Sequence, residues 1–381
     1  MQRAGLLVIT LAHFCVDSYA TMLVPALPFL SARLGLDLTS AGVLSSVVAI
    51  CGTSQPLLGL WADRMARRYL VLIGMGLAAV FLPLMGLAPS YWSLVACLCL
   101  GGLGVAAFHP QAFVIGGELS GPRRSFGLAL FIFGGTLALG GTPVWVTWMA
   151  SEVGLGAFPL VALPGLALIA VVIRVVPLDN PHVHHGHAPL RQSLAQAGRP
   201  LAVITAVVVL RSVTGLAFGT FIPFLGQERG LTPVEWGLAL SVYNTAGVVS
   251  GLLWGYLADH VRPRLLVWTA LLASSPLLYG YLHTGGLVSY ALLAVGGGLL
   301  LSSNSVLVAM AQELAPRHAA LASSLPLGLS WGLASLFLGP LGYAAERVGL
   351  TAMLTAVSLL PVVTAALALR LPHTRTAARS G

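Results

Sequence analysis

The first apolar stretch of the chain carries a histidine and an aspartate four residues apart, His13 and Asp17. On a helix this spacing places both side chains on one face, about 6 Å apart along the axis. An imidazole beside a carboxylate can bind, release or pass on a proton. Ionisable groups are costly at membrane depth, so they usually face a bundle interior or a water-filled path. The pair therefore indicates a proton site, provided that the rest of the chain forms a membrane bundle around it.

The composition indicates an integral membrane protein. Of the 381 residues, 57% are hydrophobic and only 8% are charged, whereas a soluble domain carries about 25% charged residues. A cleaved signal peptide is disfavoured, because His13 and Asp17 interrupt the place of its apolar core. Apolar segments with the length of a spanning helix recur twelve times, near 5–31, 40–61, 69–88, 91–116, 126–149, 156–176, 200–225, 237–258, 265–283, 286–311, 320–344 and 351–370.

The longest connection, residues 177–199, divides these segments into two sets of six. We therefore predict an N-terminal six-helix bundle over 1–176, a cytoplasmic linker over 177–199 and a C-terminal six-helix bundle over 200–381. The linker histidines could bind a metal, but their irregular spacing favours a flexible polar linker; they are His182, His184, His185 and His187. The cysteines lie within apolar segments and are interpreted as small apolar residues; they are Cys15, Cys51, Cys97 and Cys99.

The distribution of arginines predicts the orientation of the spans. All 19 basic residues are arginines. With a cytoplasmic N-terminus, 15 of them fall in cytoplasmic segments, and three, Arg33, Arg229 and Arg347, fall on the opposite side. Because basic residues are concentrated in cytoplasmic loops, both termini are predicted to be cytoplasmic. Topology thus explains the net charge of +8 better than nucleic-acid binding does.

The two sets of six segments repeat one another at an offset of about 195 residues. PFLSARLGL, from Pro28, matches PFLGQERGL, from Pro223, and the segment from Gly59 matches the segment from Gly255. Halves related by an axis along the membrane normal place a substrate site between them, near mid-membrane. The predicted fold is an all-α membrane protein with twelve transmembrane helices, in two six-helix pseudo-symmetric halves around a central cavity.

The loop between the second and third segments reads GLWADRMARR, over residues 59–68. It resembles the loop signature of the major facilitator superfamily, G-x-x-x-D-R-x-G-R-R/K, with alanine at one position where glycine is usual. Such a loop can form a charge network that exists in only one conformation, although its arginines could also be simple topology anchors. The residues predicted to form the cytoplasmic gate loops, from both copies of the motif, are Gly59, Asp63, Arg64, Arg67, Arg68, Gly255, Asp259 and Arg264.

The fourth segment contains FHPQ, residues 108–111. Proline inside a membrane helix frees a carbonyl, which is tolerated where polar groups or water can pair with it. His109 is therefore predicted to face the cavity, with a histidine hydrogen-bonded inside the bundle as the alternative. H-x-x-x-D in the first segment, F-H-P in the fourth and A-Q-E-L-x-P over 311–316 together resemble the fosmidomycin-resistance-type efflux proteins. This resemblance implies proton-driven export of a drug or metabolite.

The seventh segment supplies a basic residue at a depth similar to that of Asp17. At 1.5 Å per residue, Arg211 lies about 16 Å from the cytoplasmic end of its segment, and Asp17 lies about 18 Å from the end of its own. We expect Arg211 to pair with Asp17, so that its approach or withdrawal, or an anionic substrate that competes for it, changes the protonation of Asp17. A structural ion pair is the alternative. His13 either relays the proton or tunes Asp17.

Two further carboxylates, Glu118 and Glu313, end the fourth and tenth segments near arginines. They either form salt bridges with these arginines that lock the cytoplasmic gate, or they are solvated carboxylates at the membrane interface. No nucleotide loop, nucleophile–base pair or metal-ligand set is found in the sequence. Proton coupling and the central cavity are assigned to His13, Asp17, His109, Gln111, Arg211, Asn244 and Asn304.

These features predict a secondary active transporter, not an enzyme, in a bacterial-type cytoplasmic (inner) membrane. The favoured function is proton-coupled efflux of a small drug or metabolite, by antiport and alternating access. An uptake symporter for a small organic anion is the first alternative, and a membrane sensor of the same fold that moves no substrate is the second. The expected partners are a small-molecule substrate, protons and the lipid bilayer, with no nucleic acid, cofactor or metal. We expect a monomer.

Overall fold

The computed structural model describes residues 3–62, 65–121, 124–179, 190–258, 260–314 and 325–372. The described residues are almost entirely helical. The helices of the first part of the chain are α1 (Arg3–Thr21), α2 (Leu23–Leu34), α3 (Leu38–Gly52), α4 (Gln55–Ala62), α5 (Tyr69–Leu84), α6 (Tyr91–Leu119), α7 (Arg124–Glu152) and α8 (Ala162–Val175). Those of the second part are α9 (Leu190–Glu228), α10 (Pro233–Ala258), α11 (Pro263–His283), α12 (Gly286–Leu314), α13 (Ser330–Ser335), α14 (Leu338–Val348) and α15 (Leu350–Ala368).

Within the described residues, 11 helices are long and apolar enough to cross a membrane. They correspond to every predicted segment except the eleventh, and the all-α membrane fold is confirmed. The spans are Arg3–Leu34, Leu38–Gly59, Tyr69–Leu87, Tyr91–Leu119, Gly127–Glu152, Leu155–Val175, Gly198–Glu228, Pro233–Ala258, Pro263–His283, Gly286–Leu314 and Leu350–Ala368.

The eleventh predicted segment, 320–344, is not one continuous α-helix where the structure describes it. A π-helix over Leu325–Leu329 leads into α13, and a turn at 336–337 separates α13 from α14. Pro340 has no backbone N–H, so the carbonyl of Leu336 lacks its helical donor. The proline thus accounts for the interruption, which hydropathy does not reveal.

The first span is bent where α1 meets α2, at Met22. Pro25 has no N–H to donate to the carbonyl of Thr21, four residues earlier. The hydroxyl of Thr21 donates to the carbonyl of Asp17 at 2.7 Å and completes the last turn of α1. Asp17 therefore lies one helical turn before the bend.

The sequence repeat reappears in the backbone conformation of four glycines. Gly35 and Gly230, which follow α2 and α9, have φ angles of 64° and 71°. Gly154 and Gly349, which follow α7 and α14, have φ angles of 94° and 89°. Only glycine adopts such angles without steric cost, which makes it the usual residue after a helix. Equivalent helices of the two repeats thus end in the same way.

The described helices form two compact units. Unit 1 comprises Met1–Gly186 and Gly226–Ser241, and unit 2 comprises His187–Leu225 and Val242–Gly381. In unit 1, the ring of Trp236 lies 5.7 Å from that of Phe29. The predicted bundle boundaries at 176 and 200 stay a prediction.

Glycines allow α5 and α6 to approach closely within unit 1. A Cβ atom on Gly74 would lie 2.6 Å from the carbonyl oxygen of Gly104 and 2.7 Å from the backbone nitrogen of Phe108. Such backbone contact is typical of membrane helices that pack through small residues. It holds the FHPQ segment of α6 inside the unit.

Candidate functional site

A three-residue cluster inside unit 1 joins α1 to α6. His13 Nε2 lies 3.2 Å from Asp17 Oδ2, and His109 Nε2 lies 3.2 Å from Asp17 Oδ1. The aspartate therefore uses a different carboxylate oxygen for each imidazole. The side chains of His13, Asp17 and His109 are only 6%, 14% and 17% exposed. The structure thus brings together the HxxxD pair and the histidine of FHP.

Backbone carbonyls orient both imidazole rings. His13 Nδ1 is 2.9 Å from the carbonyl oxygen of Phe131 on α7, and His109 Nδ1 is 2.8 Å from that of Val105, one turn earlier on α6. A carbonyl oxygen can only accept a hydrogen bond, so each Nδ1 must carry a hydrogen and donate it. These partners assign the same tautomer to both histidines and direct both Nε2 atoms at Asp17.

This tautomer determines how many protons the cluster requires. A neutral imidazole with hydrogen on Nδ1 has a bare Nε2, which is an acceptor, and an ionised carboxylate is also an acceptor. Each contact between Nε2 and a carboxylate oxygen therefore needs its own proton to be a hydrogen bond. With two protons, both contacts between Nε2 and the carboxylate are hydrogen bonds, and with one proton only one of them is. Without a proton, each Nε2 lone pair lies 3.2 Å from a carboxylate oxygen that is also an acceptor.

Aromatic rings shield the cluster. The His13 ring stacks on Phe131 at 4.2 Å between centroids, with an interplanar angle of 15°. Phe108 and Phe113 contribute ring contacts to His13 at 6.1 and 6.0 Å. Apolar surroundings strengthen electrostatic interactions relative to water. Gaining or losing a proton therefore changes the local energy more than it would at an exposed site.

Gly134 and Gly135 of α7 allow this helix to lie directly against α1. A Cβ atom on Gly134 would lie 2.6 Å from the carbonyl oxygen of Thr10. One on Gly135 would overlap with the carboxylate of Asp17 and lie 2.7 Å from His13 Nε2. Gly135 and Phe131 are site residues that sequence reasoning missed. The Gly-Gly pair in the fifth span is the signal that could have indicated a close helix contact.

The same three residues are of metal-ligand type, although the sequence predicts no metal site. One ligand atom from each lies within 4.8 Å of the others. Adjacent ligands of a tetrahedral zinc ion, with bonds of about 2.0–2.1 Å, are about 3.3 Å apart. Both contacts of 3.2 Å are also hydrogen-bond distances, provided that a proton lies between each Nε2 and the carboxylate.

Arg211 lies in unit 2, on α9, and is 1% exposed. Its guanidinium donates to Asn304 Oδ1 at 3.2 Å, to Ser212 Oγ at 3.1 Å and to the carbonyl oxygen of Leu300 at 3.5 Å. Two predicted site residues, Arg211 and Asn304, are thus in direct contact within one unit. The pairing of Arg211 with Asp17 stays a prediction.

The structure does not bring Gln111 into the histidine cluster. Gln111 is buried, and its Oε1 accepts a hydrogen bond from the backbone N–H of Val71 at 3.1 Å. It follows His109 by two residues, which places it on another face of α6. Asn244 is half-buried on α10, next to Tyr243. The predicted cavity roles of Gln111 and Asn244 stay predictions.

The loop after α4 is connected by hydrogen bonds and ion pairs to the end of α6 and to the segment after α8. Arg68 is 2% exposed and donates to Glu118 Oε1 at 2.6 Å, while its backbone N–H donates to the carbonyl of Leu178 at 2.8 Å. Arg67 Nε lies 3.6 Å from Asp179 Oδ1, in an exposed ion pair. Glu118 thus pairs within unit 1 with an arginine of the signature loop.

The two glycines predicted for the gate loops, Gly59 and Gly255, each lie near a residue of the fourth or the tenth span. A Cβ atom on Gly59 would lie 3.5 Å from Pro110 Cβ, and one on Gly255 would lie 3.9 Å from Ser305 Oγ. Arg264 is half-buried and Glu313 is exposed.

The cysteines are free and half-buried. Predicted residues that lie outside the described ranges are Asp63, Arg64, Asp259 and the linker histidines His182, His184, His185 and His187.

Comparison with known proteins agrees with this architecture. The family model of the Major Facilitator Superfamily matches residues 9–340. The chain is 28% identical to the uncharacterized MFS-type transporter YfnC of Bacillus subtilis (strain 168), over 94% of this chain and 90% of the relative. It is 24% identical to the fosmidomycin resistance protein of Escherichia coli (strain K12), over 93% of this chain and 89% of the relative.

A solved structure shares the fold at low sequence identity. The nucleoside transporter NupG superimposes with a TM-score of 0.83 at 14% identity, covering 97% of this chain and 100% of the other. The family match extends over most of the membrane helices described above. The chain therefore belongs to the Major Facilitator Superfamily and is a multi-pass membrane transporter, not an enzyme.

Proposed function

We propose that this transporter is a proton-coupled exporter that exchanges protons for a small drug or metabolite by alternating access. In this proposal it lies in the bacterial cytoplasmic membrane, with both termini in the cytoplasm. The observation that carries it is the cluster of His13, Asp17 and His109, whose two contacts of 3.2 Å each require a proton. A carboxylate that bridges two oriented imidazoles is a site that binds and releases protons.

The cluster can link proton occupancy to helix position because its members stand on different helices. Asp17 and His13 are on α1, His109 is on α6, and the carbonyl that orients His13 is on α7. When a proton leaves, an unprotonated Nε2 and a carboxylate oxygen repel one another in apolar surroundings. That repulsion favours separation of α1 from α6. Protonation thus biases a conformational equilibrium, which is the requirement for coupling.

Export is favoured over uptake by the resemblance of the HxxxD, FHP and AQELxP motifs to the fosmidomycin-resistance-type efflux proteins. The name of one relative, the fosmidomycin resistance protein, agrees with this direction. In the proposed cycle, protons enter the cluster from the outer side and leave towards the cytoplasm. The substrate moves in the opposite direction, so that the proton gradient drives its export.

The proposal is tested in two steps, beginning with a drug-sensitive bacterial host. Cells that produce the wild-type protein or Asp17→Asn are screened against antibiotics and toxic metabolites, with fosmidomycin as the first probe. Everted membrane vesicles are then acidified by respiration, and a compound identified in the screen is added outside. Antiport predicts that the added compound releases lumenal protons from wild-type vesicles and that Asp17→Asn abolishes this release.

Asp37→Asn is the matched control. Asp37 is exposed and accepts a hydrogen bond from the backbone N–H of Ser40 at 2.7 Å, as an N-cap that asparagine can replace. Wild-type proton release from Asp17→Asn vesicles would contradict the proposal. Proton movement that requires the compound inside the vesicle, and not outside, would identify a symporter.

A further inference from the structure

Arg211 is a buried cation whose charge is not balanced by a carboxylate of its own unit. Its three acceptors, Asn304 Oδ1, Ser212 Oγ and the carbonyl oxygen of Leu300, are neutral. Among the described residues, its Nε has no hydrogen-bond partner, although the atom is buried. A buried ion without a counter-ion is strongly unfavourable, particularly at membrane depth. A bound anion would therefore balance the charge of Arg211 and accept the hydrogen bond that its Nε–H does not make to the described residues.

The described carboxylates of unit 2 do not supply that anion. Glu313 and Glu346 are both exposed and lie near the ends of α12 and α14, whereas Arg211 lies well inside α9. No described carboxylate of unit 2 is within 4.0 Å of its guanidinium nitrogens. In unit 1, by contrast, the carboxylate of Asp17 has two histidines as partners. The charge of Asp17 in unit 1 therefore has ionisable partners, whereas that of Arg211 in unit 2 has neutral ones.

The groups around Arg211 are suited to bind an oxyanion. Within the described part of the chain, the Nε–H of Arg211 is an unused donor, whereas the adjacent Nη2 donates its two hydrogens to Asn304 and Ser212. An oxyanion that replaces one of these two acceptors would contact Nε–H and Nη2 together, along the edge of the guanidinium that binds two oxygens at once. Asn304 and Ser212 accept from Arg211 at 3.2 and 3.1 Å, and each also carries a donor of its own, the amide N–H and the hydroxyl. Tyr243 does not compete, because its hydroxyl donates to the carbonyl of Gly215 at 3.0 Å.

We infer that Arg211, Asn304 and Ser212 form the head-group site for an oxyanion, a carboxylate or phosphonate, carried by the transported molecule. This inference rests on the proposed transport function and specifies its substrate class as a small organic anion. A single unbalanced guanidinium favours one negative charge at the head group. Entry of the anion requires a conformation in which Arg211 is accessible, and alternating access supplies such a conformation.

The test measures thermal unfolding of the full-length protein, purified in detergent, with acetate, methylphosphonate or inorganic phosphate. Sodium chloride at the same ionic strength is the reference. A ligand that binds only the folded state raises Tm, by about 1–2 °C for each kcal/mol of binding when the unfolding entropy per residue is scaled to 381 residues. We expect acetate or methylphosphonate to raise the Tm of the wild-type protein and to have no such effect on Arg211→Gln. Stabilisation by phosphate alone would overturn the organic-anion assignment.

Asn304→Asp keeps the test decisive if Arg211→Gln does not fold. The new carboxylate would stand where Oδ1 already accepts from Arg211, and would act as a built-in anion. This variant should have a higher Tm than the wild type in chloride, and oxyanions should no longer raise it. Ser274→Ala is the matched control, because Ser274 is buried and its hydroxyl donates to Leu271 of its own helix at 2.8 Å.

Equal oxyanion effects on wild type, Arg211→Gln and Asn304→Asp would overturn the inference, and so would the absence of any effect on the wild type beyond that of chloride. The outcome is independent of proton coupling, because binding in detergent needs no gradient. Asp17→Asn should retain the oxyanion effect on Tm while losing proton release in vesicles. Proton release that persists in Asp17→Asn vesicles would count against the proposed proton coupling alone, whereas the absence of an oxyanion effect on the wild type would count against the head-group site alone.

Discussion

His109 and Asp17 meet between α6 and α1, with 3.2 Å between Nε2 and Oδ1. The contact is short because Nδ1 of His109 is held by the carbonyl of Val105 at 2.8 Å, which turns Nε2 towards α1. One carboxylate is thereby shared by two histidines. This cluster and the ion pair at the end of α6 determine how transport and stability should respond to substitution.

Replacing His109 by glutamine should uncouple transport. The amide of glutamine does not titrate, so the cluster loses one of the two positions that need a proton. We expect His109→Gln to reduce the proton release that the transported compound induces in everted vesicles by about tenfold, within the usual range of coupling between two sites. His283→Gln is the control, since His283 lies outside the cluster beside Thr355; equal behaviour of the two variants would contradict the role of His109.

Gly135→Ala should damage the cluster by sterics alone. The added methyl group would overlap with the Asp17 carboxylate and crowd His13. Overpacking of this kind costs about 1–3 kcal/mol, which a lower Tm would report, and proton release should fall with it. Gly141→Ala is the matched control on the same helix, because a Cβ atom there meets nothing within 4 Å. Similar losses in both variants would show that contact with the cluster is not responsible, because alanine has a higher helix propensity than glycine and propensity alone would stabilise both.

Glu118→Gln should destabilise unit 1. The change removes the charge that compensates Arg68, which is 2% exposed. Breaking a fully buried pair costs about 3–5 kcal/mol, but Glu118 is 34% exposed, so screening reduces the expected loss to about 1–2 kcal/mol. Thermal unfolding compares it with Glu152→Gln, whose carboxylate is exposed at the end of α7. A double-mutant cycle that combines Glu118→Gln with Arg68→Gln should give a non-zero interaction energy between the two side chains. An interaction energy of zero would exclude a stabilising ion pair.

Removal of divalent metals should leave transport unchanged. In the proposed function, shared protons and not a metal ion account for the contacts of His13, Asp17 and His109. Dialysis against a chelator is therefore expected to alter neither Tm nor proton release. Loss of transport after chelation, restored by zinc, would instead assign the cluster to a metal.

Much of this architecture could be predicted from the sequence because it depends on local rules. Hydropathy identifies the spans, since a helix must keep apolar side chains over the thickness of the bilayer. Helical periodicity predicts that His13 and Asp17 share a face, because residues four apart are neighbours on any helix. The offset of about 195 residues predicts equivalent helix ends, and Gly35 and Gly230 take equivalent backbone conformations.

Contacts between distant helices could be decided only by the tertiary structure. The packing of α1, α6 and α7 brings His109 and the carbonyl of Phe131 to the HxxxD pair. It likewise pairs Glu118 with Arg68 and gives Arg211 neutral partners in its own unit. Hydropathy and periodicity describe one helix at a time, whereas these contacts depend on the rotation and height of each helix against its neighbours. Close glycine contacts, such as that of Gly135 with α1, set that rotation and height.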